Sequence, residues 1–169
     1  MGEIKLTKQE RLSYSLQLKI LEKLTGDDSY KNLITILEEG YTLHYQDLFE
    51  LLYDELSIED CRFVLDVLEM YRGLNFSANS LGDKKLLEKI QFKGFDFNDS
   101  LEGKMASYAR YFVFDLQRYD EIRDNSNGDF SSHMMMRNKY KAMLKKWNEY
   151  ESSAKYMLSK ENIELILKA

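Results

Sequence analysis

Thr7-Lys8-Gln9-Glu10-Arg11-Leu12-Ser13-Tyr14-Ser15-Leu16-Gln17-Leu18-Lys19-Ile20-Leu21-Glu22-Lys23-Leu24 is the stretch whose reading decides the fold class. Thr7 and Glu10 have the spacing of a capping box. In that arrangement each side chain satisfies a backbone N–H that the start of a helix leaves unpaired. Gly26 stands just beyond the far end, where a residue in the left-handed conformation closes many helices. Between these signals Leu12, Leu16, Ile20 and Leu24 recur every four residues, and Tyr14, Leu18 and Leu21 occupy another side. So wide an apolar arc predicts a helix buried on more than one side, at the centre of a domain or at a subunit interface.

Outward from this stretch the same signals recur. Asp27, Asp28 or Ser29 caps a second helix that turns Leu33, Ile34 and Leu37 inward and stops at Gly40. Residues 41–45 alternate weakly and read as extended, followed by a short helix over 46–55. Ser57 caps a stronger helix reaching Tyr71 before Gly73, with Cys61, Val64, Leu65, Leu68 and Tyr71 as its apolar face. Residues 75–82 have turn composition, and a short helix is expected over 83–91. The longest helix is placed at 100–123 behind a cap at Asn98 or Asp99, with Met105, Ala109, Phe112, Leu116 and Tyr119 as its stripe. A polar loop spans 124–132. A helix over 133–150 carries Met136, Tyr140, Met143, Leu144 and Trp147, and Ser159 caps the last one. The fold class expected is all-α (mainly α-helical): one compact domain over residues 1–169, with about seven or eight helices packed around 8–24 and 100–123.

Composition bounds the rest. Average usage would place about eight prolines in a chain of this length; there are none, which permits long helices. The single Cys61 excludes an internal disulfide framework. The N-terminus has no apolar core of a secretory signal, and Leu6 stands where myristoylation requires Ser or Thr. No apolar run approaches the ~18 residues that span a bilayer, so a cytoplasmic location is the expectation. The net charge of −5 conceals two blocks. Residues 25–74 hold 3 basic and 12 acidic side chains, and residues 131–169 hold 8 basic and 4 acidic.

Chemical motifs are sparse. His44, His133 and Cys61 fall in no metal-ligand spacing, and no phosphate loop, dinucleotide fingerprint or nucleophile elbow occurs. The 124–132 loop lacks the Gly and Glu that a calcium loop needs at its sixth and twelfth positions, whether counted from Asp124 or from Asn125. Carboxylate neighbours such as Glu38 and Glu39 are expected by chance among 29 acids. Arg62, Asp66 and Glu69 share one side of the 58–71 helix and read as an ion-paired face or an interface lock. The helices at 46–55 and 58–71 have helix-turn-helix proportions, but the second is net acidic and a poor DNA reader. Arg137, Lys141 and Lys145 form the better basic stripe, on the 137–146 helix.

Several segments, taken in order, resemble the YfbU family of bacterial proteins. They are Leu6-Thr7 with Glu10-Arg11-Leu12; Glu39-Gly40-Tyr41; Cys61-Arg62 with Asp66 and Glu69-Met70-Tyr71; Gly94-Phe95-Asp96; Lys139-Tyr140 with Met143-Leu144 and Trp147; and Leu158-Ser159. The resemblance covers nearly the whole chain. It implies a compact helical domain and intracellular residence, and it brings no catalytic residues.

The leading expectation is therefore a non-enzymatic protein-interaction or regulatory module acting as a homo-oligomer, with no cofactor and no membrane. Its candidate interaction residues are Arg62, Asp66, Glu69, Arg137, Lys141 and Lys145. One alternative is a nucleic-acid-binding regulator using helix 137–146. The other is a metal-dependent enzyme with an acidic site drawn from Glu38, Glu39, Asp66 or Glu69.

Overall fold

The computed structural model describes residues 4–124 and 128–169. Met1 to Glu3, where the N-terminal signals were read, and Asn125 to Asn127 of the polar loop lie outside the described residues. The fold is all-α: eight α-helices and no strand among the described residues, with one isolated parallel bridge between Phe95 and Ser131. The chain forms two compact units, Met1–Glu55 and Leu56–Ala169.

In the first unit, α1 (Lys8–Thr25) and α2 (Tyr30–Glu39) pack together, and the segment Thr42–Phe49 is a 3-10 helix. The capping box at Thr7 and Glu10 is present, and Gly26 closes α1 at φ 71°. The expected extended run at 41–45 is instead part of the 3-10 segment, and with no α-helix over 46–55 the helix-turn-helix pairing is absent. Ile34 and Leu37 of α2 are buried as expected. On α1, however, the only buried residue is Ser15. The seam that α1 offers α2 is polar: Arg11 donates to the Leu37 carbonyl at 3.1 Å, Ser15 donates to Glu38 at 2.9 Å, and Lys19 pairs with Glu38.

The second unit is built on α3 (Ile58–Leu81), whose 24 residues make it the longest helix. Ser57 caps it as expected, but it runs through Gly73 and the expected turn at 75–82 to Leu81. Gly73 is a packing position and not a stop. A Cβ there would overlap the Trp147 ring and come within 2.8 Å of the Lys155 carbonyl oxygen. Short α4 (Lys84–Lys89) follows, then α5 (Ser100–Arg110), capped by Asp99 through the N–H groups of Leu101 and Glu102.

The long helix expected at 100–123 is broken. α5 passes into a π-helical turn, Tyr111–Asp115, and Gln117 and Tyr119 take the left-handed conformation at φ 50° and 57° before α6 (Asp120–Asp124) begins. α7 (Arg137–Trp147) and α8 (Lys160–Leu167) complete the unit.

The core lies around α3. Val64, Val67, Leu68, Met70, Leu74 and Ala78 are fully buried beside Met105, Ala109, Met143 and Ile163. The expected centre, 8–24 with 100–123, is thus replaced by α3. At one end of this core Tyr71, Phe92, Phe95, Phe130 and Tyr140 form a nest of edge-to-face and stacked rings with centroids 5.0–5.9 Å apart. Tyr140 donates to the Gly94 carbonyl at 3.0 Å. Gly94 itself, at φ 79°, leaves room for the Phe130 backbone that any side chain would fill.

Candidate functional site

Two constellations stand out, one in each unit. The first is the open face of α1. Leu12, Leu16, Ile20 and Leu24 are between 51% and 78% exposed. The four-residue spacing predicted in the sequence is therefore real, but it is not core within the chain. The arc comes from the sum of two faces. Tyr14, Leu18 and Leu21 turn toward Leu48, Phe49 and Leu52, with which they line a recess of about 340 Å³. The ridge of Leu12, Leu16, Ile20 and Leu24 has no cover. Glu38, beneath α1, is held below the usual carboxylate range by its bonds from Lys19 and Ser15.

The second constellation is a polar cluster on the outer face of α3. Tyr119 donates to Glu69 Oε2 at 3.2 Å, and Tyr156 donates to the other oxygen, Oε1. The Arg72 guanidinium lies 4.0 Å over the Tyr119 ring, pairs with Glu121 at 2.8 Å and faces Glu69 at 3.8 Å. Burial, and then the Glu69 charge, push the Tyr119 phenol up to about 12; the Glu69 bond raises Tyr156. Such phenols stay protonated near neutrality. Both donate to Glu69, and Arg72 ties the same carboxylate to Glu121, so the cluster is a set of mutually bonded groups. Left-handed backbone at a bulky residue costs about 1–3 kcal/mol and persists where its surroundings enforce it. At Tyr119 the π-helical turn and the anchoring by Glu69 and Arg72 do so.

Of the candidate interaction residues read from the sequence, Glu69 joins this cluster, while Arg62 and Asp66 stay exposed and form no ion pair with each other. Arg137 is half-buried and turned to Asp60 at 2.8 Å. Lys141 and Lys145 are exposed on α7. Sequence reasoning did not connect Tyr119 and Tyr156 to Glu69, because sequence separations of 50 and 87 residues carry no local signal.

A third feature was also missed. Glu102, 1% exposed, accepts from the Asp96, Met136 and Arg137 N–H groups. It caps α7, whose own N-cap, Met136, has no side-chain acceptor to offer. Cys61 is a half-buried free thiol, and His133 is exposed at φ 52°. No group of three or more His, Cys, Asp or Glu among the described residues is placed to hold a metal ion. No described helix is long and apolar enough to cross a membrane.

Comparison with known proteins gives two findings. A family model described as the YfbU domain matches residues 4–169. The chain is also similar to the UPF0304 protein MJECS11 of Methanocaldococcus jannaschii, with 33% identity over 170 residues that span 97% of this chain and 99% of that protein.

Proposed function

Since this chain belongs to the YfbU family, we propose from its geometry that it is a non-catalytic interaction module that self-associates through α1. The observation that carries this reading is the uncovered ridge of Leu12, Leu16, Ile20 and Leu24. The polar groups around Glu69 in the second unit are engaged with one another, which fits a structural role for that cluster.

Magnitudes support a second copy as the occupant. The ridge exposes on the order of 400 Å² of apolar surface, as large as the largest patch on an ordinary monomer. Pairing two ridges removes roughly 800 Å² from water, and flanking Ser13, Gln17 and Lys23 extend this toward the ~1,200 Å² at which standard interfaces begin. At ~25 cal/mol per Å² the apolar part is worth about 20 kcal/mol gross. Association costs about 4–15 kcal/mol before side chains are ordered, so the gross gain exceeds that cost, while the area by itself fixes no affinity.

The test is light scattering coupled to size-exclusion chromatography across the micromolar range. The parent should run as an oligomer, and the double variant Leu16→Glu, Ile20→Glu as a 20 kDa monomer with its helical circular dichroism and unfolding midpoint retained. A monomeric parent at 100 micromolar, or a double variant that still associates, would remove the reading.

A second reading, nucleic-acid binding through α7, has one observation in its favour: Lys141 and Lys145 are exposed and make no ion pair among the described residues. The diversion of Arg137 to Asp60 leaves the stripe only Lys141 and Lys145, with exposed Lys139 beside them and Lys146 paired to Glu149, where phosphate binding draws on many cations, so this reading ranks second. It requires binding that falls steeply with salt and is abolished by Lys141→Glu with Lys145→Glu.

A further inference from the structure

Leu12, Leu16, Ile20 and Leu24 form one row at four-residue spacing on the exposed side of α1, and two such rows can pack along their whole length where the helix axes lie within about 20° of one another. A two-fold contact needs only one such patch, used twice. The row has its midpoint between Leu16 and Ile20, so apolar area alone does not choose the direction in which a second helix lies across it. Charge does.

The N-terminal end of α1 carries Lys5, Lys8 and Arg11 against Glu10, and the C-terminal end carries Glu22, Asp27 and Asp28 against Lys23 and the neighbouring Lys31, so the first is net positive and the second net negative. The helix dipole adds positive potential at the first end and negative at the second. Parallel pairing sets like on like at both ends, and antiparallel pairing sets opposite on opposite at both.

Resting on the self-association reading above, we infer that two copies pair antiparallel through α1, about a two-fold axis between Leu16 and Ile20. Leu12 then faces Leu24 of the partner subunit, and Leu16 faces Ile20 of the partner subunit. The Lys8 end of each helix meets the Asp28 end of the other. The Asp28 side chain is 80% exposed and shares Lys31 at 2.7 Å, so it adds an interchain pair without leaving a buried charge behind.

Cross-linking separates this register from its rivals. With Cys61 replaced by Ala, Leu12→Cys and Leu24→Cys are made in separate chains, one lengthened by a tag, and treated with a short bismaleimide. In the antiparallel register, identical ridge-end residues are offset along the axis by about 18 Å, the rise over twelve helical residues. The mixed sample should give the tagged–untagged dimer, and each variant alone should link weakly. Efficient linking of Leu12→Cys to itself, in a sample that scatters as a dimer, overturns the register and leaves self-association standing. A monomeric Cys61→Ala parent overturns both. In a second arm, Lys8→Asp should weaken association several-fold and Asp28→Lys in the same chain should restore it. Failure of that rescue in a dimeric protein also counts against the antiparallel pairing.

Discussion

Replacing Glu102 by Ala removes the acceptor that closes the start of α7 and should cost the second unit about 3 kcal/mol. The carboxylate takes Met136 N–H at 3.0 Å on both oxygens, Arg137 N–H at 2.8 Å and Asp96 N–H at 3.0 Å. The Met136 N–H is buried, and orphaning a buried donor costs about 1–3 kcal/mol. An anion facing a helix N-terminus contributes roughly 0.5–1 kcal/mol more. The Arg137 and Asp96 N–H groups are half-buried, and water entering the vacated volume offsets most of their loss. Glu102→Gln keeps one oxygen but turns an NH₂ toward a donor, so about 2 kcal/mol is expected. The assay is urea unfolding followed by tryptophan fluorescence. Trp147 is the sole tryptophan, is buried at the C-terminal end of α7, and so reports the unit in question. With the slope unchanged, the midpoint for Glu102→Ala should fall by about 1–2 M. A shift below about 0.5 M, or a Gln variant less stable than the Ala variant, would refute the capping role.

Gly73→Ala would normally stabilise a helix interior by about 1 kcal/mol, but here its Cβ overlaps Trp147, so about 1–2 kcal/mol of net destabilisation is expected in the same urea assay. Tyr119, with its phenol pushed up to about 12, contributes stability that is fully present below the unfolded value near 10 and is lost as pH rises through 12. Unfolding midpoints measured at pH 9 and pH 11.5 should therefore fall less in Tyr119→Phe than in the parent. A residual decline is expected from Tyr71 and Tyr140, both raised by burial.

Much of the local structure was legible because it is written in adjacent residues. The caps at Thr7, Ser57, Asp99 and Ser159 are side-chain-to-backbone bonds closed within three residues, and all four are formed. The inward face of α7 follows from 3.6-residue spacing. The failures share a different cause. Gly73 looked like a stop because only the fold shows Trp147 filling the space beside it. The 100–123 helix looked continuous because no proline or glycine marks Gln117 and Tyr119, which take left-handed backbone, and the contacts that anchor Tyr119 come from Glu69 and Arg72 across the unit. Glu102 resembled any first-turn acid of α5, although its partners lie 34 and 35 residues further along.

The reading of α1 shows why a periodic pattern specifies a helix more firmly than its place in the fold. Hydrophobic spacing reports that a face avoids water, not which surface covers it. α1 is a stable helix through its capping box, its Gly26 closure and a seam of Arg11, Ser15 and Lys19 on α2, so it does not need the leucine ridge to hold it in place. A ridge released from that duty would be selected against if it met only solvent, since exposed apolar rows promote indiscriminate association. Its strict four-residue spacing, with oppositely charged ends, is what a defined contact with a second copy requires. A ridge that merely tolerated exposure would gain nothing from that order. By that logic, exchanging Leu12 with Ser13 and Leu16 with Gln17 at constant composition, which leaves Arg11, Ser15 and Lys19 of the seam in place, should leave α1 helical and abolish the dimer. If the scrambled chain still dimerised, general stickiness and not register would be what joins the copies.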